Sequence, residues 1–215
     1  MEITWYGFSC FRLYERGTAS VVIDPYDHMS VGGSALNLRG EIVTISSDDP
    51  GHNYVVAVKG RKRVITGPGE YEIGGVFITG VNIEGRKPAS GEGRNTQYVF
   101  DYNGVTVAHL GNLLRVPSQT RIEALGEVNI ALVPVGGGNG LNAAKAVEVI
   151  SLLQPGMVIP MNYSAPTTKS ELASVTKFLK EMGIGSVEPQ PSLKVTRSAI
   201  PDQTRVVVLT HEKSS

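Results

Sequence analysis

The chain has 215 residues, of which 41% are hydrophobic and 19% are charged, a composition that is typical of a globular protein and excludes an intrinsically disordered one. Its 20 basic and 20 acidic side chains cancel, which excludes an overall basic field for binding nucleic acid. Apolar runs stay well short of the ~18 residues that a membrane-spanning helix requires, so we expect no membrane partner.

Cys10 is the single cysteine of the chain, which excludes an intramolecular disulfide and a cysteine-rich zinc finger. It lies between Phe8 and Phe11, and this apolar context predicts a buried structural thiol. The segment Met1–Trp5 has neither the basic region nor the apolar region of a secretory signal. We therefore expect a cytoplasmic protein.

Short strands dominate the chain, because runs rich in Val, Ile, Thr and aromatic residues recur between Gly, Pro, Asn and Asp. The pair Asn103-Gly104 predicts a tight hairpin between two of these runs. In chain order the predicted strands are Glu2–Tyr6, Ser20–Asp24, Glu41–Ile45, Tyr54–Val58, Arg63–Ile65, Val76–Thr79, Gln97–Asp101, Val105–His109, Asn129–Val135, Met157–Pro160, Leu193–Arg197 and Arg205–Thr210.

Helices are predicted only in the second half of the chain. A short one is expected at Thr120–Leu125, and Asn142 is a suitable N-cap for a longer one. Thr168 or Ser170 would cap a further helix that ends before Gly183.

The predicted strand Asn129–Val135 is apolar on both faces, so it requires cover on both sides. Strands followed by helices then predict an α/β fold in which sheets pack against each other and helices cover them outside. Because no linker rich in Ser and Pro divides the chain, we expect residues 1–215 to form a single domain.

Several short motifs, in a specific order and spacing along nearly the whole chain, resemble those of one family. The chain resembles the metallo-β-lactamase-fold hydrolases, in particular the short cytoplasmic branch related to ascorbate-6-phosphate lactonase. The resemblance implies an αββα four-layer sandwich with a site where the loops at the strand ends meet. The motifs are Trp5-Tyr6-Gly7-Phe8-Ser9-Cys10-Phe11, Ile23-Asp24-Pro25-Tyr26, Gly67-Pro68-Gly69-Glu70-Tyr71-Glu72, Gly93-Arg94-Asn95-Thr96, His109-Leu110-Gly111-Asn112, Pro134-Val135-Gly136-Gly137 and Ile159-Pro160-Met161-Asn162-Tyr163.

The resemblance also implies a dinuclear metal site, but this chain lacks most of the expected ligands. Relatives with a complete site carry His-x-His-x-Asp-His after the third long strand, and the two cations held there activate water. In the matching stretch, Ser47 and Asp49 replace the two histidines and Gly51 replaces the aspartate. His52 alone matches the motif.

The replacement continues further along the chain. Glu84 or Gly85 falls where relatives place another histidine, depending on the position of a one-residue gap. Asn112 stands at the position of the bridging aspartate, and Asn162 at that of the final histidine. Asparagine is neutral and a poor ligand for transition metals, so we expect the dinuclear centre to be lost.

Two functions remain open. The first hypothesis is a protein without hydrolytic activity and without metal or other cofactor, which binds a small anionic ligand or a protein partner. The alternative is a hydrolase of phosphorylated sugars, lactones or phosphodiesters, with zinc or manganese held by Asp49, His52 and Glu84. In that case, Asp49 and His52 are the catalytic candidates. A weaker third idea is metal-free acid–base catalysis by the same pair, although nothing in the sequence orients them.

The remaining candidates lie around or beneath the same pocket. Asp24 orients a ligand in relatives and is predicted here to hold a turn, whereas His109 is predicted to be a buried histidine bonded to backbone. The glycine-rich loop 136–142 is either a flexible turn or an anion site, with Arg115 as a nearby cation. The resemblance implies a homo-oligomer without fixing its size. The predicted pocket comprises Asp24, Ser47, Asp48, Gly51, Glu84, His109, Asn112, Asn162 and Tyr163.

Overall fold

Two large β-sheets form the centre of the computed structural model, which describes residues 1–83, 94–165, 168–169 and 171–211. The strands are β1 Glu2–Gly7, β2 Cys10–Tyr14, β3 Val21–Ile23, β4 Leu38–Arg39, β5 Ile42–Thr44, β6 Val58–Lys59, β7 Arg63–Ile65, β8 Gly69–Ile73, β9 Val76–Val81, β10 Gln97–Tyr102, β11 Val105–His109, β12 Ile130–Pro134, β13 Met157–Met161, β14 Ser192–Lys194 and β15 Arg205–Val206. The helices are α1 His28–Val31, α2 Gln119–Glu123, α3 Ala143–Leu153 and α4 Val175–Glu181, with 3-10 turns at Val55–Ala57 and Arg197–Ala199.

The first sheet has the strand order β14-β1-β2-β3-β5-β7, and the second has the order β15-β13-β12-β11-β10-β9-β8. In each sheet, antiparallel strands on one side give way to parallel strands on the other. Strands β4 and β6 form a separate parallel pair. The predicted hairpin is confirmed, since Tyr102 pairs with Val105 and the intervening Asn103 and Gly104 both have positive φ.

The main hydrophobic core fills the space between the two sheets and continues onto the outer face of the second sheet. Successive residues of β3 alternate, because Val21 and Ile23 belong to this core whereas Val22 belongs to a smaller cluster on the opposite face. Two tyrosines of β10 join the layers: Tyr98 donates to the carbonyl of Ile45 at 3.1 Å, and Tyr102 donates to the carbonyl of Ala19 at 3.0 Å. These bonds satisfy the buried hydroxyls and fix the sheets against each other.

Helices cover the outer face of the second sheet. The connection from β12 to β13 runs through α3, whose buried residues Ala146, Val149 and Ile150 join the main core. Asn142 caps α3 as predicted, because its side chain accepts the amide of Lys145 at 3.0 Å. With α1 and partly buried loop residues against the outer face of the first sheet, the layered αββα fold is confirmed.

Cys10 is buried in the smaller cluster, as predicted. Burial, followed by the nearby charge of Asp24, raises the pKa of the thiol, so it stays protonated and unreactive. The longest helix of the described ranges, α3, has 11 residues, and none of the helices there could cross a bilayer.

Two predicted elements are wrong at positions where tertiary contacts decide the backbone. The segment predicted as strand Tyr54–Val58 forms a 3-10 turn over most of its length, since the amide of Tyr54 bonds to the carbonyl of Pro25 at 2.7 Å. Helix α4 begins at Val175 and not after Thr168, whose side chain instead accepts the amide of Ala165 at 3.0 Å. The other predicted cap, Ser170, lies outside the described residues.

Further corrections concern strands. β2, β4 and β8 were not expected, and the last two predicted strands end early, at Lys194 and at Val206. β8 pairs with β9 through a turn at Gly74 and Gly75, both with positive φ. Glu70, Tyr71, Glu72 and Ile73 alternate between exposed polar and half-buried apolar side chains, so this short strand carries the expected period of two but was not recognised in the sequence.

Candidate functional site

A cavity of about 470 Å³ lies where the loops that follow β1, β3, β5, β11, β12 and β13 meet. This is the size of an ordinary small-molecule site. Loops from the ends of both sheets contribute to it, as expected for a site carried at the strand ends. Its lining comprises Phe8, Val31, Asp49, Gly51, His52, Asn112, Gly137, Gly138, Asn139, Gly140, Asn162, Glu171 and Leu172.

The polar lining divides into a floor and a rim. His52 is buried, and Asn112 and Asn162 are half-buried, so these three form the floor. Asp49 and Glu171 are exposed carboxylates and form the rim. Of the predicted pocket residues, the structure therefore brings Gly51, Asn112 and Asn162 together with the predicted pair Asp49 and His52.

Asp24 lies fully buried beneath the floor and holds His52 in place. Its carboxylate accepts the amide of Ser46 at 2.8 Å and the Nδ1 proton of His52 at 2.7 Å. The hydroxyl of Ser46 makes a further short hydrogen bond to the same carboxylate. Asp24 thus fastens the loop after β5 and orients His52, whose edge with Nε2 is the part left available to a ligand.

The charge of Asp24 is balanced inside the protein. Burial alone raises the pKa of this carboxyl, but the neighbouring imidazoles of His52 and His109 and the hydrogen bonds it accepts lower the pKa further, and the net shift is downward. Nδ1 of His109 lies 3.9 Å from the carboxylate. Asp24 therefore remains ionised within its network of hydrogen-bond donors.

His109 is fully buried and bonded to backbone on both ring nitrogens. Nε2 donates to the carbonyl of Ser9 at 2.9 Å, and Nδ1 accepts the amide of Gly111 at 3.1 Å. These bonds match a neutral imidazole with its proton on Nε2. Burial also favours the neutral form and lowers the pKa of His109, although the nearby charge of Asp24 acts to raise it. His109 supports the floor and does not line the cavity.

The other predicted pocket residues lie elsewhere. Ser47 is buried, and its hydroxyl accepts the amide of Asp49 at 3.3 Å, whereas Asp48 points outward and pairs with Arg94 at 2.6 Å. Tyr163 is buried behind the cavity with its ring 5.0 Å from that of Trp5. Burial raises the pKa of Tyr163 to about 12. Glu84 lies outside the described residues.

Sequence reasoning missed four lining side chains: Phe8, Val31, Glu171 and Leu172. Phe8 belongs to the motif Trp5–Phe11, but residue types alone could not predict its positive φ of 48°. Glu171 and Leu172 were expected in or beside a helix, but the helix begins only at Val175, and the preceding segment reaches the cavity instead.

Unusual backbone conformations concentrate at the site. Phe8, Asp24 and Asn162 have positive φ (48°, 45° and 53°), which only five non-glycine residues adopt in the described part of the chain. Gly111, with φ 59°, is also required, because a Cβ there would collide with the side chains of Asn95 and Ser46. Such strain persists only where the surrounding contacts over-determine it, and it is typical of functional sites.

The described side chains do not fit a metal centre of the expected kind. A zinc site requires three or four protein ligands. Within residues 1–83, 94–165, 168–169 and 171–211, no three His, Cys, Asp or Glu side chains are arranged to hold a metal ion. The floor instead presents one imidazole and two neutral amides.

Comparisons with known proteins agree with the fold. A model of the beta-lactamase superfamily domain matches residues 2–162. A UPF0173 protein of Pyrococcus furiosus is 29% identical over 205 residues, which cover 85% of this chain and 90% of the relative. A UPF0173 metal-dependent hydrolase of Methanoculleus marisnigri is 23% identical over 223 residues, which cover 91% of this chain and 97% of the relative.

A solved structure is similar over almost the whole chain. The crystal structure of a metallo-beta-lactamase superfamily protein from Thermotoga maritima has 34% sequence identity and a TM-score of 0.78, and the match covers 97% of this chain and 98% of that one. The family match, the identity and the layered sheets all agree with the motifs in the sequence. The chain therefore belongs to the metallo-β-lactamase superfamily, with UPF0173 metal-dependent hydrolases among its relatives.

Proposed function

We propose that this chain is a member of the superfamily that binds a small polar molecule in the 470 Å³ cavity without a metal ion and without hydrolytic activity. The observation that carries the proposal is the position of Asn112 and Asn162. Both line the floor of the cavity, where the resemblance places metal ligands, and both are neutral. A fold can keep its cavity while the chemistry of the site changes, because function resides in the site.

The buried network beneath the floor supports this proposal. The Asp24 carboxylate accepts hydrogen bonds from the amide and the hydroxyl of Ser46 and from Nδ1 of His52, which stabilise its charge without a bound cation. Substitution of a bridging carboxylate by Asn112 removes the repulsion that several uncompensated carboxylates would produce in one cavity. The floor is therefore stable as it stands, with polar amides free to contact a ligand.

A second candidate, a hydrolase with a remodelled single-metal site, is favoured by one observation. Asp49 and His52 line the same cavity, and Asp24 orients His52 as an outer carboxylate orients a metal-binding histidine. This candidate requires a third ligand that the described residues do not supply. The two candidates differ in a directly measurable quantity, the metal content.

The deciding experiment is metal analysis of the purified full chain by inductively coupled plasma mass spectrometry. The protein is measured as purified and after dialysis against zinc, manganese and iron(II), with Asp49→Ala and His52→Ala in parallel. Asp48→Ala is the matched control, because this neighbouring carboxylate pairs with Arg94 and does not line the cavity. The same samples are assayed with lactone, phosphomonoester and phosphodiester substrates.

We expect less than about 0.1 metal ion per chain under every condition, and no turnover, because a zinc site needs three or more protein ligands. Near-stoichiometric metal that disappears in the Asp49 and His52 variants, but persists in the Asp48 variant, would overturn the proposal. Turnover that depends on the added metal would establish the hydrolase.

A further inference from the structure

The cavity carries negative charge on its rim. Asp49 and Glu171 are exposed carboxylates in the lining, and the described lining residues include no lysine or arginine. Neither carboxylate forms an ion pair with another described residue, although Oδ1 of Asp49 accepts the amide of Gly51 at 2.8 Å. A cleft lined by charges of one sign raises the local concentration of ligands of the opposite sign.

The basic side chains of the neighbouring segments lie outside the lining of the cavity. Arg94 is paired with Asp48 at 2.6 Å, outside the cavity. The ammonium group of Lys169 donates to the carbonyl of Met29 at 2.7 Å. Arg115, which the sequence offered as a cation near the pocket, is exposed and is not part of the lining.

Several amides of the glycine-rich loop after β12 are engaged within the protein. The amides of Gly137, Gly140 and Leu141 already donate to backbone carbonyls at 2.9, 3.0 and 3.0 Å. At the start of α3, the side chain of Asn142 occupies the amide of Lys145. An anion site of the kind predicted for this loop requires such amides to point at the ligand. These four are engaged within the protein, which leaves the amides of Gly138 and Asn139 at the cavity.

The wall of the cavity contains an aromatic ring in a fixed position. Phe8 packs against Tyr26 with 4.8 Å between ring centroids. Its carbonyl accepts the indole proton of Trp5 at 2.9 Å and the amide of Asn162 at 3.1 Å, which holds its backbone at positive φ. Aromatic rings attract ammonium groups through their quadrupole, and more strongly where water is excluded.

We propose that the ligand of this cavity is an organic cation, a small molecule with a primary or quaternary ammonium group. The rim carboxylates of Asp49 and Glu171 attract it, and the ring of Phe8 contacts its charged end. The amide oxygens of Asn112 and Asn162 accept hydrogen bonds from its polar groups. The inference rests on the proposed metal-free binding function and gives its ligand class.

The test compares probes that differ only in charge. Isothermal titration calorimetry at low ionic strength measures the binding of choline against its neutral isostere 3,3-dimethylbutan-1-ol, of n-butylamine against n-butanol, and of inorganic phosphate. We expect each cation to bind at least about 5-fold more tightly than its neutral partner, and phosphate to bind more weakly than either cation.

Substitutions locate the effect. Asp49→Asn and Glu171→Gln are each expected to weaken cation binding by a factor of about 2 to 5, as for exposed ion pairs, and to leave the neutral probes unaffected. Asp48→Asn, next in the chain but directed away from the cavity, is the matched control and should change nothing. All these positions are exposed, so unchanged melting temperatures will show that the variants are folded.

The outcomes separate the two proposals. Equal binding of cations and neutral isosteres, or preferential binding of phosphate, overturns the cation inference and leaves a metal-free binding cavity. Failure of every cation to bind at millimolar concentration also overturns it. Stoichiometric zinc or manganese that depends on Asp49 and His52 overturns the proposed function itself.

Discussion

The polar groups beneath the cavity floor and those on its rim contrast sharply. Asp24, Ser46 and His109 are fully buried, and each makes hydrogen bonds within the protein. Asp49 and Glu171 are exposed, and neither is ion-paired to another described residue. The lower layer is therefore structural, whereas the upper layer has charge to offer a ligand.

This contrast separates the part of the site that is bonded into the fold from the part that faces the cavity. In metal enzymes an outer layer of carboxylates orients the ligands. Here the orienting contact from Asp24 to His52 is present, while Asn112 and Asn162 occupy the layer above it. The lower layer holds the loop after β5 in place whether or not chemistry takes place above it, so we expect its loss to affect folding far more than changes in the rim.

The largest expected effect is the loss of stability in Asp24→Ala. The substitution leaves the amide and hydroxyl of Ser46 and the Nδ1 proton of His52 without an acceptor in the core. Removing one partner from such a buried, charged network lowers the free energy of unfolding by about 3–5 kcal/mol. Urea denaturation measures it, with Asp24→Asn as the milder control that keeps the shape and one acceptor. A change below about 1 kcal/mol would show that the network is not structural.

Gly111→Ala is expected to cost somewhat less. The added Cβ would collide with the side chains of Asn95 and Ser46 at a backbone φ of 59°, so strain and overpacking add to at least about 2 kcal/mol. The melting temperature should fall by about 4–8 °C. Gly126→Ala is the matched control, since Gly126 has φ 68° but nothing within 4 Å of its added Cβ. Equal falls in melting temperature for both variants would show that backbone strain alone, and not the collision of the added Cβ, causes the destabilisation.

Local patterns in the sequence were sufficient for most of the fold. The all-buried strand β12 and the capping of α3 by Asn142 depend on residues close in sequence, and both were predicted. The turn at Val55–Ala57 and the start of α4 were not, because contacts with Pro25 and Ala165 decide them. Long-range contacts outweigh local propensity at such positions.

The site was predictable where a motif marked it and hidden where distant segments meet. Asn112 and Asn162 follow from motif positions, but Glu171 reaches the cavity on a segment that was predicted to begin a helix. Residue types also could not distinguish Asp48, directed to Arg94, from Asp49, which lines the cavity. The resemblance placed Asp24 beneath the site, but no local pattern paired it with His52, which lies 28 positions away in the chain.

A smaller effect is expected in the pH dependence of stability. Burial lowers the pKa of His109 from its ordinary 6.5, so below that pH the unfolded chain takes up a proton that the folded chain does not. Stability therefore falls as the pH drops below about 6.5, by up to about 1.4 kcal/mol per pH unit from this group. In His109→Asn the slope between pH 5 and 6.5 should be shallower. An identical slope would show that folding does not lower the pKa of His109.

The smallest effects are expected on the rim and sharpen the contrast with the buried layer. Asp48→Asn removes the exposed ion pair with Arg94, which contributes about 0–1 kcal/mol to stability, and added salt should reduce the difference. Asp49→Asn should change the unfolding free energy by less than about 0.5 kcal/mol, because its carboxylate is exposed. Urea denaturation of both variants at low and high salt measures these values. If Asp49→Asn were as destabilising as Asp24→Ala, the rim and the buried network would form one structural unit. The rim carboxylates would then be needed for stability and would not be available to bind a ligand.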